Sequence, residues 1–261
     1  MLGNGLSIGV VARRVRAGGA PPPPPPAWTP LALGAQLAGW WDPSDPASVV
    51  LNGPAVAQLT DRSGQGRHLV QPSAALQPAL GGGDAAWNGR AAAAFTADRL
   101  QALSGWWDTS SYAVVFVGAF TVEGDLVGSG AVATAGDILL MRFGGKLRGH
   151  HWTAPGAIDG TSALDPAPHL VAQHRAGPSL ALWLDGAQEA SSTAAVGSST
   201  NRHFILGGRS LTATSTLTCG EIVLAASIDA TDRARIEGYL AWRWGLQARL
   251  AAGHPFRSAP P

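Results

Sequence analysis

Residues 111–120 read SYAVVFVGAF. Alternate side chains of a strand point to opposite faces, and here both sets are apolar. A strand of this kind has cover on each side and belongs in the middle of a sheet, as in a packed sandwich. Outward from it, DILLMRF (137–143) and KLRGHHW (146–152) flank Gly144-Gly145, a two-residue hairpin signal. HLVAQHR (169–175) and SLALWLDG (179–186) pair around Gly177-Pro178, and HFILGG (203–208) and GEIVLAASI (220–228) follow. Cys219 sits at the head of this last apolar run and reads as a small buried residue.

Upstream, QLAGWWD (36–42) is stopped by the Asp-Pro pairs at 42–43 and 45–46. AVAQLTD, the turn SGQG (63–66) and HLVQ come next. Asp61, Ser63 and Gly64 suit a tight turn capped by a side chain. Residues 72–89 read as a polar, Gly-rich loop, and AAAAF and LQAL (100–103) bracket a further turn. Downstream, DATDRARIEGYLAWRWG (229–245) is a helix with Asp229 as N-cap, Asp232 in the first turn and Gly245 as the stop. About a dozen short strands with one late helix imply an all-β jelly-roll sandwich.

Composition limits the partners. Charged residues are 13% of the 261, and the formal net charge is +1. No global field calls for nucleic acid or a membrane surface, and no run approaches the length of a membrane span. The single cysteine excludes an internal disulfide and a multi-cysteine metal site. Six consecutive prolines, Pro21–Pro26, form a stiff rod that can join neither helix nor central strand. The layout is therefore an attachment segment over 1–20, a polyproline linker over 21–30 and a large domain over 31–261. Leu2, Leu6, Ile8 and Val10, followed by Arg13 and Arg14, are the candidate attachment residues. Their charge follows the apolar run, the reverse of a secretory signal.

WWDPSDPAS, LTDRSGQGRHLVQPSAALQPAL and NGRAAAAF run in order across residues 40–95, and GEIVLAASIDATDRARIEGYLAWRWGL and AGHPFRSAPP lie near the other end. Together these resemble the laminin-G-like, concanavalin A-like jelly-roll domains of bacteriophage and phage-like (gene-transfer-agent-type) virion spike and tail-fibre proteins. The resemblance covers residues 31–261. It implies a sandwich whose edge loops bind carbohydrate. It also allows a structural calcium on a loop aspartate such as Asp61 or Asp108; no other cofactor is expected. Asp residues in turns also serve as local caps, the competing reading of both.

Only four glutamates occur (Glu123, Glu189, Glu221 and Glu237), none in the paired arrangement of a glycosidase; Glu123-Gly124-Asp125 reads as a turn. No nucleophile elbow is present, so no enzyme is expected. Adjacent His150 and His151 point to opposite faces of a strand and cannot grip one metal. Ten tryptophans suit sugar stacking, because sugars present apolar C–H faces to aromatic rings. Trp40, Trp41, Trp183, Trp242 and Trp244 fall in strand or helix patterns and read as core. Trp106 and Trp107 sit in a connection and His151 and Trp152 at a strand end, and these four are the carbohydrate candidates. The competing reading is that Trp106 or Trp107 plugs the end of the sandwich.

The sequence thus predicts a non-enzymatic virion spike or fibre subunit, placed at the surface of a virion or phage-like particle. Its N-terminus would dock on other virion proteins, and its jelly roll would bind host cell-surface polysaccharide. A trimer or pentamer is expected, with no nucleic acid and no membrane insertion. A structural decoration protein without glycan binding is the alternative, and a polysaccharide-degrading enzyme a third reading.

Overall fold

The computed structural model describes residues 27–130, 137–152, 155–194 and 197–261. The attachment residues Leu2, Leu6, Ile8, Val10, Arg13 and Arg14, and the rod Pro21–Pro26, lie outside the described residues.

The strands are β1 (Leu37–Trp41), β2 (Val49–Asn52), β3 (Ala55–Leu59), β4 (Leu69–Val70), β5 (Ala79–Gly82), β6 (Ala91–Asp98), β7 (Leu100–Ala102), β8 (Ser111–Ala119) and β9 (Gly124–Gly128). They continue with β10 (Ile138–Phe143), β11 (Lys146–His151), β12 (Gly156–Ala163), β13 (His169–Ala176), β14 (Ser179–Leu184), β15 (Ala187–Ser192), β16 (Ile205–Leu206) and β17 (Ser215–Ala225). One α-helix, α1 (Ala230–Trp244), follows.

The named strand pairings are all antiparallel and form two runs. In the first, β15, β14, β13, β8 and β17 are neighbours in that order, β1 and β6 share the far side of β17, and β5 lies beyond β6. In the second, β12, β11, β10, β9, β16, β7, β4, β3 and β2 follow one another. A single pair, Ala55–Ala79, joins the runs through β3 and β5. At the opposite edge Glu189 on β15 accepts hydrogen bonds from Thr161 N and Oγ1 at 2.8 and 2.9 Å, and from Ser162 N and Oγ at 2.7 and 2.8 Å, all on β12. The sheet is therefore barrel-like, where the sequence implied a jelly-roll sandwich.

β8 explains why the chain curls this way. Its Tyr112, Val114 and Phe116 enter an inner core that also takes Leu140, Leu147, Val171, Leu182 and Leu206 from both runs. Its Ala113, Val115 and Val117 enter an outer core with Ile236, Leu240 and Trp244 of α1. Each fully buried aliphatic or aromatic side chain contributes about 1.5–3 kcal/mol, so both faces of the strand are held by the hydrophobic effect. Asp229 Oδ1 accepts from Asp232 N at 2.8 Å and starts α1; Gly245, at φ +74, ends it in the left-handed region.

The sequence reading needs correction at several edges. The 72–89 loop contains β5, and Gly124-Asp125 begin β9 rather than a turn. Trp40, Trp41 and Trp244 are core as expected, whereas Trp183 and Trp242 are only half-buried. Cys219 is buried inside β17, where loss of hydration raises its thiol pKa and keeps it protonated.

Candidate functional site

The turn before β4 and the connection between β7 and β8 come together in space. Asp61 builds the first of these. Its Oδ1 accepts from Trp40 N at 3.1 Å and Ser63 N at 2.9 Å, and its Oδ2 accepts from Ser63 Oγ at 2.7 Å and Arg67 N at 3.0 Å. With four donors on its two oxygens, Asp61 is a turn cap and not a cation ligand. Among the described residues no group of three or more His, Cys, Asp or Glu side chains is arranged to hold a metal ion. Arg67 is fixed further by Trp41 Nε1, which donates to its carbonyl at 2.9 Å.

The second segment is set by Arg202, whose carbonyl accepts from Trp106 N and Trp107 N, both at 2.9 Å. Gly105 allows this approach: a Cβ there would lie 1.8 Å from Asn201 O, so any other residue would force the backbone apart. Trp106 is thereby brought under Arg67, whose Cζ stands 4.2 Å from the centre of the indole ring. A guanidinium laid on an indole face is held flat by its attraction to the ring quadrupole.

The Arg67–Trp106 pair forms a ridge between two hollows. The first, about 320 Å³, is lined by Gln58, Gln65, His68, Ser104 and apolar Leu103 and Val70. The second, about 350 Å³, is lined by Asp108, Ser110, Ser111, Ser227 and the edge of Trp107. Each is at the small end of ordinary ligand pockets, which run from about 300 to 1,000 Å³. Both mix amides or hydroxyls with apolar walls, as a hydroxylated ring with C–H faces requires. His68 Nδ1 accepts from Asp61 N at 3.1 Å, which fixes its proton on Nε2 and leaves that N–H as a donor on the exposed ring. Asp108 is exposed in the second hollow, its Oδ1 accepting from Ser110 N at 2.8 Å.

The four aromatic candidates do not form one platform. Trp106 is half-buried and lines both hollows. Trp107 is 3% exposed and packs edge-on against Tyr112 with ring centres 5.2 Å apart. His151 is fully buried, its Nε2 2.6 Å from Arg175 Nη1. Trp152 lies half-buried beside His150, with ring centres 4.4 Å apart. Trp107 and His151 thus have no ring face to offer a sugar. Sequence reasoning missed Arg67, His68 and the two glutamines, because only the fold brings residues 58–68 against residues 102–108. The signal within reach was the basic pair Arg67-His68 directly after the capped SGQG turn.

No family model matches the chain, and no curated protein matches it. Solved structures do. A Trypanosoma rangeli sialidase in complex with sialic acid is similar over 79% of this chain and 33% of its own, at 15% identity and a TM-score of 0.51. An arabinofuranosidase complexed with arabinofuranosyl-alpha-1,2-xylobiose is similar over 73% of this chain and 51% of its own, at 14% identity and a TM-score of 0.54. Domains LG4-5 of the mouse laminin alpha1 chain are also similar, over 49% of this chain and 39% of theirs, at 19% identity. Their TM-score of 0.40 is too low to carry an argument. The chain spans about a third of the sialidase and about half of the arabinofuranosidase. At these identities the likeness is one of fold.

The expectation of a non-enzymatic virion spike or fibre is corrected by these findings. The sialidase and the arabinofuranosidase that share the fold are glycosidases. The scarcity of paired glutamates, which argued against an enzyme, rests on the pattern of one glycosidase group and does not exclude others.

Proposed function

We propose that this chain is a carbohydrate-active protein of the glycoside hydrolase kind, and that the two hollows flanking the Arg67–Trp106 ridge take up neighbouring units of a glycan. The observation that carries the reading is the ridge itself: one indole and one guanidinium lining two adjacent, ring-sized hollows of mixed polarity. The fold shared with a sialidase and an arabinofuranosidase supports it. We read the two runs of strands as the faces of a concanavalin A-like jelly roll, which would put this site on loops at one end. Of the carboxylates near the ridge, Asp61 is committed to its turn and Asp108 is exposed to the second hollow, so Asp108 is the residue from which acid–base chemistry on a bound glycoside would start.

The test is incubation of the protein with a panel of oligosaccharides and aryl glycosides, reading new reducing ends and released phenol, with binding measured in parallel. Trp106→Ala should weaken binding about tenfold or more, since it removes both the ring and the support of Arg67. Asp108→Asn should abolish hydrolysis while leaving binding. Binding without cleavage would overturn the hydrolase reading and leave glycan recognition at the ridge. Neither binding nor cleavage across the panel would overturn the proposal.

A further inference from the structure

The charges around the ridge are unequal, and the inequality bears on what kind of sugar fits. Arg62, Arg142, Arg148, Arg202, Arg209, Arg233, Arg235, Arg243 and Arg249 each stand within 4 Å of a carboxylate oxygen. Arg67, like Arg90, Arg99, Arg175 and Arg257, has no such ion pair among the described residues, and of these five it alone lines the two hollows. Its guanidinium makes one hydrogen bond, from Nη1 to Ala38 O at 2.6 Å, and among the described residues Nε and Nη2 have no acceptor. Asp61 lies close, yet it meets Arg67 through the backbone N–H, and its oxygens are already taken by the turn. Among the described residues no carboxylate lines the first hollow, where Arg67 is joined by His68, Gln58 and Gln65. The carboxylate of the site, Asp108, lines the second hollow.

A part-buried guanidinium held flat on an indole, with two N–H groups unspent, matches the planar fork of a carboxylate. We infer that the first hollow selects a carboxylate-bearing sugar, a uronic or a sialic acid residue, and that the neighbouring hollow takes an uncharged unit. The inference rests on the glycan reading above. Asp108 sets the order of the two units, because a second acidic sugar beside it would meet like charge.

Titration calorimetry with matched saccharides tests it. The probes are sialyllactose and a glucuronic-acid-terminated disaccharide, each paired with its carboxyl-reduced, neutral counterpart. The account expects at least one acidic probe to bind about tenfold or more tightly than its neutral partner, the scale of a charge-assisted hydrogen bond, and the margin to shrink as salt rises. The two acids distinguish the sources of the carboxylate. Arg67→Gln should bring the acidic probe down to the affinity of its reduced partner, and Arg67→Lys should retain only part of the margin, because a point charge replaces the fork. The comparison of probes uses the unaltered protein, so it stands even if a variant fails to fold. Equal affinity for acidic and reduced probes, or tighter binding of the reduced ones, would overturn the inference and leave the glycan reading intact. Absence of binding to every member would overturn both.

Discussion

Four donors converge on Glu221, which has no exposed surface. Trp40 Nε1 donates at 2.6 Å, Tyr239 Oη at 2.8 Å and Trp244 Nε1 at 3.1 Å, and Arg243 Nε stands 2.7 Å away. Arg243 also meets Asp42, which in turn pairs with Arg62 at 2.8 Å. The cluster ties α1 to β17 and β1, opposite in character to the open ridge: every member is spent on another. Burial, and next the nearby carboxylate of Asp42, push the Glu221 pKa above the ordinary glutamate range. Glu221→Ala strands three buried donors and half-empties the pairing of Arg243, so urea denaturation should show a loss of about 3–5 kcal/mol. Glu221→Gln keeps an acceptor and removes a charge whose burial is already disfavoured, so it should cost clearly less. Equal losses for the two variants would mean that packing, not the polar network, holds the helix. At this scale the sequence set Trp106 and Trp107 together, in a connection, apart from the tryptophans of strand and helix patterns. It left open which of the neighbouring pair turns inward; Trp107 does, onto Tyr112 and Phe204.

Among the elements, β12 and β15 carry the closure of the sheet without a backbone ladder between them in the named pairings. One side chain, Glu189, bridges them through both of its oxygens. Its partial burial raises its pKa, but the bonds from Ser162 and Thr161 outweigh this and hold it below the ordinary glutamate value. The folded state therefore binds this proton more weakly than the unfolded chain. The stability it confers is complete above the unfolded pKa of about 4.3 and is lost as pH falls through the lower folded value. Thermal unfolding from pH 6 to pH 3 should show a steeper loss for the unaltered protein than for Glu189→Gln, whose curves should converge with it at the acid end. Parallel curves would remove Glu189 from the closure. These edges also mark where the sequence was hard to read. β8 was legible because both faces are buried and both are apolar. β5, β12 and β15 are half-exposed runs rich in Ala, Gly, Ser and Thr with few large apolar residues, so no sustained alternation of apolar and polar residues announces them, and tertiary pairing decides their state.

Over the whole molecule, distant parts of the chain are tied together, as where Trp28 N donates to Pro261 O at 3.4 Å. The class of fold and the late helix were readable from turn spacing and from the Asp229 and Gly245 caps. The barrel-like closure and the ridge were not, since both depend on contacts between distant residues: Thr161 with Glu189, and Arg67 with Trp106. The functional account turns on that ridge. Its most direct test is to record the indole N–H resonance of Trp106, assigned by comparison with Trp106→Phe, while neutral and carboxylate-bearing oligosaccharides are added. The account predicts a saturable shift of the Trp106 signal with a glycan, and no comparable shift of the deeply buried Trp244. An unmoved Trp106 signal with a glycan that demonstrably binds, or with every glycan tried, would contradict it.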